Sequence, residues 1–167
     1  MTSRLAVVVD SFPRWSERFI ARELNELVRR GVDLTIFALR EGSLPFRDDP
    51  EFAPLVPRLR AVPMALPTAA FGMGKAERQA ARERLRAIRD ELGLKALVNA
   101  ARAGRLANDL RAGGFGSVYA HFANWPSTLA WLAAQETGIP FAFSVHAYDL
   151  FVDAQVLDRK ARDATAI

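Results

Sequence analysis

The sequence predicts an α/β domain built on a parallel sheet, and three observations carry that expectation. Leu5–Asp10 is an unbroken apolar run ending in an acid, the pattern of a strand buried on both faces. An amphipathic stretch and a second apolar run follow, so the chain opens strand–helix–strand, a unit whose crossover is right-handed. Strand-like and helix-like segments then keep alternating, as in α/β folds. With 167 residues, half of them hydrophobic, the chain suits one domain with a substantial core.

Each element has its own signal. Ser16–Arg30 reads as a helix with Ile20, Leu24, Leu27 and Val28 on one face. Ser16 is the expected N-cap, Glu17 suits the first turn, and Gly31 ends the helix. Asp33–Leu39 is the second strand and Leu59–Pro63 a third. Between them, Pro45, Pro50, Pro54 and Pro57 exclude a long regular element. Met64–Gly74 reads as an uncharged, apolar loop. Lys75–Leu92 and Lys95–Ala112 are rich in Ala, Arg, Leu and Glu and predict two helices broken at Gly93. Ser117–Phe122 is a strand, Pro126–Thr137 a helix stopped by Gly138, Ile139–Val145 a strand, and Phe151–Thr165 a last helix.

Composition narrows the chemistry. The chain has no cysteine, which excludes disulfides, thiolate zinc sites and cysteine nucleophiles together. Leu5–Val9 is too short for the apolar core of a signal peptide and runs into Asp10. The charge-free stretch Ala112–Gln135 contains Gly113, Gly114, Gly116, His121, Asn124 and Pro126, so it reads as turn, strand and helix start rather than a membrane span. The expected location is cytoplasmic, at most peripheral at the inner membrane face. The net charge of +4 is concentrated in residues 75–111, which hold 10 Lys/Arg against 5 Asp/Glu. Arg78, Arg82, Arg86 and Arg89 recur there at three- and four-residue steps. Such a stripe is a solvated helix face or a surface for anionic lipid, with Ala65–Phe71 dipping into the interface. No nucleic-acid-binding motif accompanies the charge.

In a parallel α/β sheet, ligands bind outside the carboxyl ends of the strands. Two polar loops are expected at that edge, Ser11–Ile20 after the first strand and His146–Asp149 after the last. His121 closes the strand between them and Asn124 follows it, so the only two histidines both stand at strand ends. Imidazole exchanges protons near neutral pH. Ser144, His146 and Asp149 form a possible triad, but no G-x-S-x-G elbow is present. His121, His146 and Asp149 are metal-ligand types without a supporting spacing, so no metal is expected. Gly72-Met-Gly74-Lys75 is only a fragment of a phosphate loop, and the dinucleotide fingerprint is missing after the first strand. A helix start at Ser16 offers backbone N–H groups to a phosphate or hydroxyl.

Several of these segments together resemble one family. Ser11-Phe-Pro-Arg-Trp-Ser-Glu-Arg-Phe-Ile-Ala-Arg-Glu23, with Phe37-Ala-Leu-Arg40, is similar to the F-P-x-x-S-E-T-F-I-x-x-E opening of bacterial family 4 glycosyltransferases of polysaccharide assembly. Tyr119-Ala-His-Phe122 resembles their H-x-H-F motif, and Gly138–Asp149 their G-I-P-F-x-x-T-x-H-A-x-D motif. The resemblance implies a Rossmann-like parallel sheet flanked by helices, the N-terminal half of a GT-B fold. Residues 1–167 would be the acceptor-side domain, with the C-terminal nucleotide-sugar-binding domain absent from this chain and supplied in cis or in trans. It implies a retaining transferase moving a sugar from a nucleotide-sugar to a lipid-linked or polysaccharide acceptor, with no cofactor of its own and little activity alone. His146 and Asp149 would be catalytic, His146 at the transferred sugar and Asp149 orienting it. His121, Asn124, Ser11, Ser16 and Glu17 would line the acceptor side. Tyr119, Arg18 and Ser144 depart from the usual histidine, threonine and threonine, which implies a different acceptor.

The competing reading is a non-catalytic glycan- or membrane-binding module, or one subunit of a split enzyme. A small self-contained nucleotide-dependent enzyme is disfavoured by the missing phosphate fingerprints. A domain lacking its partner is also expected to leave the surface around His121 and His146 open, with an apolar patch beside it.

Overall fold

The central strand, β1 (Arg4–Phe12), pairs in parallel on both sides. In the computed structural model, residues 4–43, 46, 48–62, 75–93, 95–152 and 155–167 are described, those at 77 and 78 without their side chains. β2 (Leu34–Glu41) and β3 (Leu59–Ala61) lie on one side of β1, and β4 (Phe115–Ala120) and β5 (Phe141–Phe143) on the other. The order is β3-β2-β1-β4-β5, every pairing parallel. This is a Rossmann-like α/β sheet flanked by helices. The chain winds outward from β1 to β3, then crosses through α2 (Lys75–Leu92) and α3 (Lys95–Ala112) to β4. The winding direction therefore reverses between β1 and β4, where such folds form a crevice.

Both faces of the sheet are covered, which explains the unbroken apolar runs. Ala6, Val8, Phe37 and Val118 pack with Ala103 and Leu106 of α3 and Leu129 and Leu132 of α4 (Trp125–Thr137). Val7, Val9, Ile36 and Ala38 point the other way, onto Ile20 and Leu24 of α1 (Arg18–Arg29) and onto Phe52 and Leu55. Adjacent residues of β1 thus serve opposite cores, as strand alternation requires. Gly138 ends α4 at φ 73°, a left-handed turn that glycine adopts without cost.

Three expectations need correcting. The first helix begins at Arg18 rather than Ser16: Trp15–Glu17 form a turn of 3₁₀ helix, Glu17 precedes α1, and exposed Ser16 caps nothing. Its proposed phosphate-holding helix start is therefore not there. The expected strand Ile139–Val145 is ordered as β5 only over Phe141–Phe143, because Pro140 has no N–H to donate to the ladder and the chain bends into a helix after Val145. The expected last helix, Phe151–Thr165, is ordered only as α6 (Leu157–Asp163), and an unexpected short helix, α5 (Ala147–Phe151), precedes it. They are separated at Val156, which takes φ 44° while its N–H is held by Glu91 Oε2 at 2.7 Å. The Gly72–Gly74 fragment and the Ala65–Phe71 loop lie outside the described residues.

The loop after β2 is fastened to the loop after β1. Ser43 N–H donates to Pro13 O at 2.9 Å, and a Cβ placed on Gly42 would lie 2.2 Å from Phe12 C and 2.3 Å from Pro13 O. Two backbones meet there and neither can yield like a side-chain tip. Gly42→Ala is therefore expected to lower stability by about 1–3 kcal/mol, the usual cost of overpacking. An unchanged urea midpoint would show that the two loops part easily.

Of the basic stripe, Arg82, Arg86 and Arg89 are exposed; Arg84, off the stripe, is buried, donates to Ala100 O at 3.0 Å and pairs with Glu136 of α4. The side chain of Arg78 lies outside the described residues. Among those residues, no helix is long and apolar enough to cross a membrane.

Candidate functional site

β4 stops at Ala120, and two residues later Phe122 takes φ 71°. That left-handed conformation is rare for a side chain with a Cβ and is found where surrounding structure holds it. It turns the chain sharply enough to bury His121, 1% exposed, beneath the loop after β5. Because β4 and β5 are neighbours, Ser144 reaches across: its Oγ lies 3.3 Å from His121 Nδ1 and 3.5 Å from His146 Nε2. The two histidines meet through a single hydroxyl.

α1 closes the cluster from above. The Phe19 ring stands edge-on to His121 at 6.2 Å and tilts onto His146 at 5.3 Å, while Phe122 lies 4.5 Å from His146. One helical turn beyond Phe19, Glu23 places Oε2 3.9 Å from His121 Nε2 and shares a hydrogen bond with the Tyr119 hydroxyl. Tyr119 also bonds Ser144, and its ring lies 4.8 Å from His121. The expectation of an open surface around His121 is therefore overturned: Phe19, Tyr119 and Phe122 exclude solvent from it. His146 is half-buried.

Burial governs the charges here. It lowers the His121 pKa from 6.5 to about 4, helped by the nearby His146 charge, so this imidazole is neutral near pH 7. Burial also raises Glu23, against the Tyr119 hydrogen bond and the His146 charge, and raises the Tyr119 phenol.

No protein-family model matches the chain, and no curated protein matches it.

Asp149 is fully buried and faces the backbone. Its Oδ2 accepts the His146 N–H at 3.0 Å, closing the first turn of α5, and its Oδ1 has no donor among the described residues. Ser144, His146 and Asp149 are close together but do not form a relay, because the carboxylate meets the main chain of His146 rather than its imidazole. Among the described residues, no three His, Asp or Glu side chains are placed to hold a metal ion.

Beside the histidines, at the β1–β4 reversal, opens a cleft of about 700 Å³. Of the expected acceptor residues, it takes in Glu17 and Asn124. Glu17 Oε1 accepts from Arg14 Nη1 at 2.9 Å, and burial raises its pKa against that pairing. Asn124 precedes α4, its carbonyl accepting from Ser127 Oγ and Thr128 Oγ1 at 3.0 Å each, while its Oδ1 is buried without a donor among the described residues. Ser11 is buried within β1 opposite Arg40, and Ser16 is exposed; neither lines the cleft.

Sequence reasoning missed Glu23 and Tyr119 at the histidines, and Arg40, Lys95, Asn99, Arg102 and Tyr148 in the cleft. Two signals were available. Phe19 and Glu23 stand four apart on a helix, and Lys95, Asn99 and Arg102 recur at four and three, so each set shares a face.

Proposed function

We propose that this domain is the acceptor-side half of a retaining glycosyltransferase, working with a nucleotide-sugar-binding domain across the carboxyl edge of the sheet. One observation carries the reading. The three segments that resemble family 4 glycosyltransferases, far apart in sequence, come together at that edge: Phe19 and Glu23 from the first, His121 and Phe122 from the second, Ser144 and His146 from the third.

In this reading His146 is the group that meets the transferred sugar. Asp149 fixes it by gripping its backbone N–H, and neutral His121, through Ser144, sets its hydrogen bonding. The acceptor lies in the adjoining cleft, its hydroxyls facing Glu17 and Asn124, with Trp125 and Tyr148 lining the space beside them. The exposed apolar run Leu150, Phe151 and Val152 follows directly from the His146 segment and is the surface assigned to the second domain. The exposed Arg82, Arg86 and Arg89 would face an anionic membrane where the acceptor is lipid-linked.

The test is sugar transfer by the natural polypeptide that carries these residues, unchanged or as His146→Ala, with nucleotide-sugars and a membrane-lipid extract. The unchanged protein is expected to transfer sugar, and the variant to lose about 100-fold or more while its circular dichroism is preserved. Oligosaccharide binding without transfer by the unchanged protein would make the domain a glycan-binding module instead.

A further inference from the structure

The cleft has an imbalance of charge on its walls. Asp10, Arg14, Glu17, Arg40, Lys95 and Arg102 all line it, four cations against two carboxylates. Both carboxylates are already engaged. Asp10 is gripped by Arg40 and lies 3.9 Å from Arg14, and Glu17 is held by Arg14. Lys95 and Arg102 have no carboxylate within ion-pairing distance among the described residues.

Arg102 is the unusual member. It is 8% exposed, yet its hydrogen bonds go to neutral backbone, with the Asp10 charge further away: Nη2 donates to Leu39 O, in β2, and to Val62 O at 2.7 Å, just past β3. Its Nε is buried with no acceptor among the described residues. Burying an unpaired guanidinium is costly, and here two carbonyls hold it in one orientation at the cleft wall. Lys95 stands two turns earlier on the same helix, exposed at the rim. Asn124 and Trp125, at the start of α4, complete the lining near them.

We propose that this cleft is a phosphate-ester site, held by Arg102 and Lys95 of α3. Two cations without a carboxylate partner, on one face of a helix, suit a multiply charged phosphate better than a single carboxylate. Trp125, Phe122 and Tyr148 beside them leave an apolar surface for the ring or chain the phosphate is attached to. Taking the bound molecule as the acceptor rests on the proposed function, and the acceptor is then phosphorylated; the anion site itself does not depend on that reading.

The experiment is calorimetric titration with inorganic pyrophosphate, glucose 1-phosphate and neutral maltose, and sedimentation with phosphatidylcholine vesicles with or without phosphatidic acid. The phosphate compounds are expected to bind more tightly than maltose. Affinity should fall about tenfold in Arg102→Met and about threefold in Lys95→Ala, in line with loss of a buried and of a rim charge. Loss of soluble-ligand binding alone in the variants assigns the site to free phosphate esters, and parallel loss of vesicle binding assigns it to a lipid headgroup. Lys95 is exposed, so its variant decides the matter if Arg102→Met fails to fold. Unchanged phosphate affinity in the folded variants overturns the site. Maltose binding as tightly as the phosphates also overturns it, yet leaves the sugar-acceptor reading standing.

Discussion

Lowering the pH from 6.5 to 4 is expected to destabilise the protein by about 3 kcal/mol through His121 alone. The sign follows from where the proton goes. Unfolded, this imidazole protonates near 6.5; folded, burial holds its pKa at about 4. Between those values the unfolded chain binds the extra proton, so stability is complete above pH 6.5 and drains away as the pH falls. Glu23 acts in the opposite sense, since its raised pKa makes the folded form the better proton acceptor, and it softens the loss. The lowered carboxylates Glu26, Asp49 and Glu51 begin to lose their contributions near their ordinary values of 4.5, 3.8 and 4.5, and lose the rest further into acid. Urea unfolding across this pH range, compared with His121→Gln, provides the check. The variant should lack most of the slope between pH 6.5 and 4, and an identical slope would assign it to other groups.

Replacing Lys160 with methionine is expected to cost about 3 kcal/mol, roughly 10 °C in Tm for a domain of this size. Lys160 is completely buried on α6, with Nζ donating to Ala123 O at 2.5 Å, Ser127 Oγ at 2.9 Å and Thr128 Oγ1 at 3.2 Å. Ser127 and Thr128 in turn donate to Asn124 O, so one ammonium ties α6 to the segment between His121 and α4. Methionine fills much of the volume and donates nothing, which strands the Ala123 carbonyl. Arg162→Ala, on the exposed side of the same helix, should change stability by no more than about 0.5 kcal/mol. Equal urea midpoints for Lys160→Met and the parent would mean that the hydrogen bonds only offset the cost of burying the charge.

Of these two residues, Lys160 lies where the sequence was hardest to read. The sheet was legible because burial on two faces leaves β1 and β2 as unbroken apolar runs, and Gly138 marked the end of α4. The meeting of His121 and His146 was also legible, given that their strands are neighbours. α5 was not: five residues are too few to show a helical period, and the helix exists because Asp149 closes its first turn. Nor did Ser16 show that it would fall in a 3₁₀ turn, since a cap residue looks the same one turn too early. The Lys95–Arg102 face was written in the spacing of α3, but only tertiary packing turns that face toward the ends of β1 and β2. Lys160 reads as a surface lysine until α6 is seen lying on α4.

The placement of the aromatic side chains equips the molecule with its own optical probes. Of its three tryptophans, Trp125 lines the cleft, Trp131 is buried with its indole N–H on Asp163 at 2.8 Å, and Trp15 is exposed with Arg18 lying 3.9 Å over its ring. Emission from Trp131 follows the docking of α6 on α4, and emission from Trp125 follows occupancy of the cleft. In a protein carrying Trp15→Phe and Trp131→Phe, the one remaining tryptophan, excited beyond the tyrosine band, reports on what enters the cleft, with no label attached.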